Sequence, residues 1–207
     1  MKTLSLPLNS KGKTRPLSYS SISLWYKDKI GFRKKYYEGI QPPVTKFLVF
    51  GKQAEDEVYA GKLPGVPVFK VSQHELRDVV DEVPVVGYLD TFDPDTVQFG
   101  DYKSSLSPWT QTMVQQLEQL PLYSFLLKRK YGTVHKTALL VWLETKLTPA
   151  QGLLTQGDTL SLTGKFEVFE RKIAEWERKR MRTWIRTAAE EISEDYRHYK
   201  KVASGKK

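Results

Sequence analysis

At 207 residues, 40% of them hydrophobic and 12% aromatic, the chain can bury a sizeable core and is too apolar for wholesale disorder. Zero cysteines exclude disulfides, thiolate zinc sites, iron–sulfur ligation and a cysteine nucleophile, and His74, His135 and His198 are too scattered to form a ligand motif. The net charge of +9 is uneven: +8 over residues 1–50, −4 over 51–164 and +5 over 165–207. An acidic centre between basic ends suits a protein that attracts a polyanion to cation-holding carboxylates, although basic ends also serve solubility. No apolar run approaches membrane-spanning length, and Leu4–Leu8 is too short and Pro-interrupted for a signal peptide, so a cytoplasmic protein without membrane contact is expected.

In chain order, residues 1–15 read as a mobile tail. The hydroxyls of Ser18 to Ser21 offer N-caps for a helix running to about Gly31, with Phe32, Tyr36 and Tyr37 extending its apolar face. Pro42-Pro43 breaks the chain ahead of a second helix at about 46–60. Val66–Val71 reads as a strand at a sheet margin, given Pro64 and Pro67. Val83–Phe92 and Val97–Lys103 read as a hairpin about the turn Asp93-Pro94-Asp95. Ser107-Pro108 opens a helix to about Tyr131, kinked at Pro121. Thr137–Glu144 is a strongly apolar strand and Thr159–Glu167 a weaker one. A long basic helix from Phe169 to about Tyr199, with Trp176 and Trp184 as core contacts, leaves 201–207 as a second tail. This order predicts an α/β domain around a central mixed sheet.

The chemistry concentrates in residues 87–103, GYLDTFDPDTVQFGDYK. Asp90 and Asp101 close two strand-like runs, and Lys103 follows Asp101 by two residues, on the same side of its strand. The two carboxylates are hard oxygen ligands for a divalent cation, with a lysine beside them to orient or deprotonate a water. Val85, Val86 and Leu89 surround Asp90 with apolar neighbours, where an unpaired carboxylate is costly and a metal would remove the cost. Read without a metal, Asp101 and Lys103 form a sheet-edge ion pair. Gln119 and Tyr123, four apart, share one side of the following helix.

Gly87-Tyr-Leu-Asp90, Asp101-Tyr-Lys103 and Gln119-Leu-Pro-Leu-Tyr123, with Gly51-Lys-Gln-Ala-Glu55 upstream, resemble the PD-(D/E)XK nuclease superfamily, in its RecB-type and phage recombination exonuclease branch. The likeness spans about residues 18–145 and implies a restriction-endonuclease-like core in a single nuclease domain, with a basic helical extension over about 167–200. Glu55 resembles the glutamate of phage-type exonucleases, with Asp56 and Glu57 as neighbouring alternatives. Where several relatives have Cys-Pro this chain has Ile30-Gly31, so no iron–sulfur cluster is expected. The resemblance implies Mg²⁺, with Mn²⁺ substituting, held by Asp90, Asp101, Glu55 and the Tyr102 carbonyl, with Lys103 catalytic. DNA contacts are expected from Gln119, Tyr123, Ser104, Trp25, Lys27, Arg33, Lys34 and Lys35. It implies an exonuclease acting on DNA ends in recombination, repair or replication. A structure-specific endonuclease such as a junction resolvase, or a catalytically silent DNA-binding protein, stand as alternatives, and the oligomeric state is open.

Overall fold

The computed structural model describes residues 4–148 and 159–205. Strands β1 (Val71–Val80), β2 (Val83–Asp93), β3 (Gln98–Ser105), β4 (Thr137–Thr148) and β5 (Thr159–Lys172) form one sheet in the order β1-β2-β3-β4-β5. The pairs β1–β2, β2–β3 and β4–β5 are antiparallel, and β3–β4 is parallel. A parallel pair needs a crossover, which α4 (Gln111–Gln116) and α5 (Gln119–Tyr131) provide. β4 is apolar without alternation from Ala138 to Leu143 because it is covered on both faces. The β2–β3 turn is closed by Asp93, whose carboxylate accepts the Asp95 N–H and the Thr96 hydroxyl, each at 3.0 Å.

One sheet face carries α1 (Tyr19–Lys27), α2 (Lys29–Tyr36), α5 and α6 (Glu175–Ser204). Their side chains Ile22, Trp25, Phe32, Leu126, Met181 and Ile185 share a core with Leu89, Phe99 and Leu140. The opposite face carries α3 (Lys46–Tyr59), whose Phe50, Ala54 and Val58 pack on Tyr102, Val141 and Leu143. Each large side chain buried in these layers contributes about 1.5–3 kcal/mol. Among the described residues no helix is long and apolar enough to cross a membrane.

Several elements differ from the sequence expectation. The first helix breaks at Asp28, whose Oδ1 accepts the Gly31 N–H at 2.9 Å and so starts α2 as a separate helix. A Cβ on Gly31 would press on the Asp28 carboxylate, which would have to shift to make room. Val66–Val71 is not a strand: the pairing begins at Val71 and continues to Val80 through a polar stretch that shows little alternation because it is an edge. Pro121 causes no kink, since it is the third residue of α5, where its missing N–H has no helical partner to lose. The break falls earlier, at Leu117-Glu118, and Thr110 rather than Ser107 caps α4.

The predicted N-terminal tail is largely anchored. Leu6 and Leu17 are buried, Leu8 bridges Thr14, and the Ser5 N–H donates to Ser193 Oγ at 2.7 Å. At the other end α6 continues to Ser204, while residues 1–3, 206 and 207 lie outside the described residues. Trp184 packs against the core as expected, but Trp176 is 64% exposed.

The α4–α5 break is held from below by Arg171, whose side chain is 1% exposed. It donates to the carbonyls of Val114 and Leu117 and, at 2.7 Å, to Glu177 Oε1. The second Glu177 oxygen accepts the Ala174 N–H at 2.8 Å, so both carboxylate oxygens of the buried pair are engaged, while Arg171 Nε is left without a partner. From α6, Arg180 NH2 lies 2.6 Å from both oxygens of Glu118. These contacts set where α5 starts, and therefore where Gln119 points.

Candidate active site

The site lies where β2 and β3 part. Their pairing ends at Thr91 opposite Gly100, one residue short of Asp90 and Asp101. Beyond that point Asp90 Oδ2 replaces the ladder, accepting the Tyr102 N–H at 2.7 Å. Tyr59 of α3 donates its hydroxyl to the Asp90 carbonyl. On the other side of β2, the β1 register passes from Ser72–Thr91 to His74–Leu89 and leaves Gln73 unpaired across from Asp90, at a left-handed φ of 51°. Gln73 Nε2 donates to Glu55 Oε2 at 3.0 Å, and Lys52 Nζ lies 3.9 Å from the same oxygen.

Asp101 and Lys103 alternate on β3 toward the α5 face, and Asp101 is 1% exposed. Asp101 Oδ2 lies 2.6 Å from Lys103 Nζ, and Oδ1 accepts from Gln119 Nε2 at 2.8 Å. Gln119 also donates to the Tyr123 hydroxyl at 2.9 Å, which ties the two α5 residues into one unit. That unit rests on Gly87. A Cβ there would meet the Tyr123 ring at 2.8 Å, and Tyr123 is 5% exposed with little room to withdraw. Gly87→Ala should therefore cost about 1–3 kcal/mol of stability by overpacking. Tyr123→Phe, which removes only the hydroxyl that accepts from Gln119, should cost less; thermal melts on the two variants check this.

The electrostatics mark the fork as carboxylate-rich. Burial first, and then the Asp101 carboxylate with Glu55 behind it, push Asp90 up to about 8. Burial likewise raises Glu55 above the ordinary carboxylate range, against the pull of Lys52 and Gln73. Burial alone would lower Lys103, but its contact with Asp101 outweighs that and holds the ammonium pKa above its usual value. Lys103 is thus a firm cation here. Among the described residues no three His, Asp or Glu side chains converge as a finished metal cage, because Glu55 is turned to Gln73. The donors nevertheless fit a hard divalent cation in kind. Asp101 Oδ2 is shielded with no well-directed hydrogen bond, and Asp90 carries repulsion from two neighbouring carboxylates that a cation would relieve.

Other predicted contacts fall elsewhere. Trp25 is 1% exposed, stacked edge-on with Phe32 and bonded through its indole N–H to Glu191 at 2.9 Å, so it presents no face to a base; the polar tip of an amphipathic ring found an internal partner. Arg33 is engaged with Asp195 of α6, its Nε 3.0 Å from Oδ2, and fastens α2 to α6. Lys27 and Lys34 are exposed, and Lys35 lies over the Tyr36 ring. Lys34 and Lys35 border a cavity of about 530 Å³ with Leu24, Ile40 and Pro42. Ser104 sits beside Gly51 of α3, its Oγ 3.8 Å from where a Cβ would stand. The sequence reading missed Tyr59 and Gln73, since the first is one tyrosine of eleven and the second lies on a strand whose polar pattern hid it. It also missed Tyr19 of α1, whose phenol is raised chiefly by burial and lies in the field of Lys103, Glu118 and Asp101.

No family model and no curated protein sequence matches the chain. Solved structures do. A phage-related exonuclease from Haemophilus somnus 129PT matches at 13% identity and a TM-score of 0.51, over 89% of this chain and 83% of that one. The alkaline exonuclease LHK-Exo from Laribacter hongkongensis matches at 10% identity and a TM-score of 0.54, over 93% of this chain and 95% of that one. Its complex with dAMP gives 12% identity and a TM-score of 0.55 over the same shares. At such identities the likeness is one of fold, and the fold is the restriction-endonuclease-like one.

Proposed function

We propose that this chain is a Mg²⁺-dependent deoxyribonuclease that hydrolyses phosphodiester bonds at the ends of linear DNA, in recombination, repair or replication. The observation that carries the reading is the convergence of Asp90, Asp101, Lys103 and Gln119 at the β2–β3 fork of an exonuclease-like fold. Asp90 and Asp101, with Glu55 released from Gln73 and the Tyr102 carbonyl, would hold the cation, and Mn²⁺ would substitute. When bound, Mg²⁺ lowers the pKa of a coordinated water and offsets charge on the scissile phosphate. Gln119, fixed by Tyr123, keeps Asp101 in one orientation. Lys103, held as an ammonium in the absence of metal, orients the attacking water and faces the charge that develops on the phosphate. Ser104, on the α3 side of the same strand, would meet a phosphate oxygen, and Lys27, Lys34 and Lys35 supply attraction to the backbone.

The test is incubation with end-labelled linear, covalently closed circular and branched DNA, in Mg²⁺ or EDTA. Linear DNA should be degraded to nucleotides or short oligomers in Mg²⁺ alone, and closed circles should survive. Equal cleavage of circles would transfer the assignment to an endonuclease, and preferential cutting at branches to a junction resolvase. Binding with no cleavage under any metal would leave a DNA-binding protein.

A further inference from the structure

We infer that Trp176 is a stacking platform for an unpaired nucleobase, so that the nuclease holds a single-stranded segment of its substrate against the start of α6; this rests on the nuclease reading above. Trp176 is the one tryptophan among the described residues that is mostly exposed, at 64%, although it lies in the first turn of a helix whose other face is core. Its ring is not idle. The Arg180 guanidinium, one turn further along α6, lies 5.4 Å from the ring centroid and orders it.

The position ties this ring to the catalytic fork. Arg180 NH2 reaches both Glu118 oxygens at 2.6 Å, Glu118 is followed by Gln119, and Gln119 Nε2 lies 2.8 Å from Asp101. Trp176 is therefore three contacts from the carboxylates, on the same end of α5. Its surroundings have the composition of a strand-tracking surface: an exposed aromatic face, with Lys179 and Arg180 on the next turn. Arg180 also has a shielded Nε without a hydrogen-bond partner, so its charge is only partly spoken for by Glu118. Cations one turn from an open π-face fit a nucleobase whose phosphate lies beside it. A duplex keeps its base faces stacked inside, except the outer faces of its two terminal pairs, and offers the ring no unpaired base.

Binding is measured in EDTA, where no cleavage occurs, with the full chain, an oligothymidylate and a blunt duplex of equal charge. The oligothymidylate should quench part of the tryptophan fluorescence, and Trp176→Phe should remove that part while keeping affinity within about threefold. Trp176→Ala should weaken oligothymidylate binding roughly tenfold, the loss of one base stack, and leave duplex binding unchanged. Unchanged single-strand affinity in Trp176→Ala, or an equal loss for duplex and single strand, would overturn the inference. Because Trp176 is exposed, circular-dichroism melts of the variants should match wild type. The inference and the nuclease reading fail separately: absence of cleavage in Mg²⁺ sinks the latter, whereas the former is read without any cleavage.

Discussion

Replacing Asp101 by Asn should reduce DNA cleavage by on the order of a thousandfold or more, equivalent to about 4 kcal/mol of transition-state stabilisation. Asparagine keeps the size and can still accept from Gln119 through its side-chain oxygen, so the β3–α5 contact survives. What disappears is the negative charge facing Lys103 and Asp90. Binding should move the other way. In EDTA the Asp101 charge, only partly offset by Lys103, still opposes the phosphate backbone, so Asp101→Asn should bind DNA as well as wild type or better. Lys103→Ala should lose cleavage while retaining metal binding, and should bind DNA no more tightly because it removes a positive charge. Rates near wild type for both variants would sink the site assignment. Weakened EDTA binding by Asp101→Asn would instead make Asp101 a structural residue.

Asp90→Asn should stabilise the metal-free protein while abolishing cleavage. Asp90 titrates at about 8 in the fold, whereas an unfolded aspartate titrates near 3.9. Between those values the folded chain holds a proton that the unfolded chain has lost, so stability falls as pH rises from about 4 to about 8. The penalty is fully developed above pH 8 and absent below pH 4. Solvent at this half-buried rim screens it to about 2 kcal/mol, or roughly 4–8 °C in Tm for a chain of this size. In EDTA at pH 8.5, Asp90→Asn should therefore melt several degrees above wild type, and the gap should close toward pH 4. Adding Mg²⁺ should raise the wild-type Tm more than that of the variant. A variant that melts below wild type at pH 8.5 would show that the Tyr102 hydrogen bond outweighs the repulsion among the carboxylates.

Much of the β2–β3 fork was legible along the chain because its signals are local. The turn Asp93-Pro94-Asp95 joins two runs of alternating apolar residues, and period-two geometry places Asp101 and Lys103 on one side of β3. The four-residue spacing of Gln119 and Tyr123 needs only a helix to bring them together, and α5 provides it. Patterns of this kind fail where an element's identity depends on what packs against it. β1 is an edge strand with polar side chains on both faces, so nothing in its composition separated it from loop, and Gln73 went unseen with it. Trp25 and Trp176 look alike as aromatic positions on basic helices, yet one is core and the other surface.

Composition, spacing and turn chemistry thus determined the mixed sheet flanked by helices and the hairpin that carries Asp90, Asp101 and Lys103. Only the tertiary structure decided how charges far apart in sequence share one field. Glu55 approaches from α3 on one sheet face while Asp101 looks toward α5 on the other, and the Asp101 charge is felt at Glu55 across the opening where β2 and β3 separate at Thr91–Gly100. Arg33 pairs with Asp195, 162 residues away, at the surface, and Arg171 is buried against the carbonyls of the α4–α5 break. A side chain's charge is written in the sequence, but its partner is chosen by distance, which the folded chain alone sets.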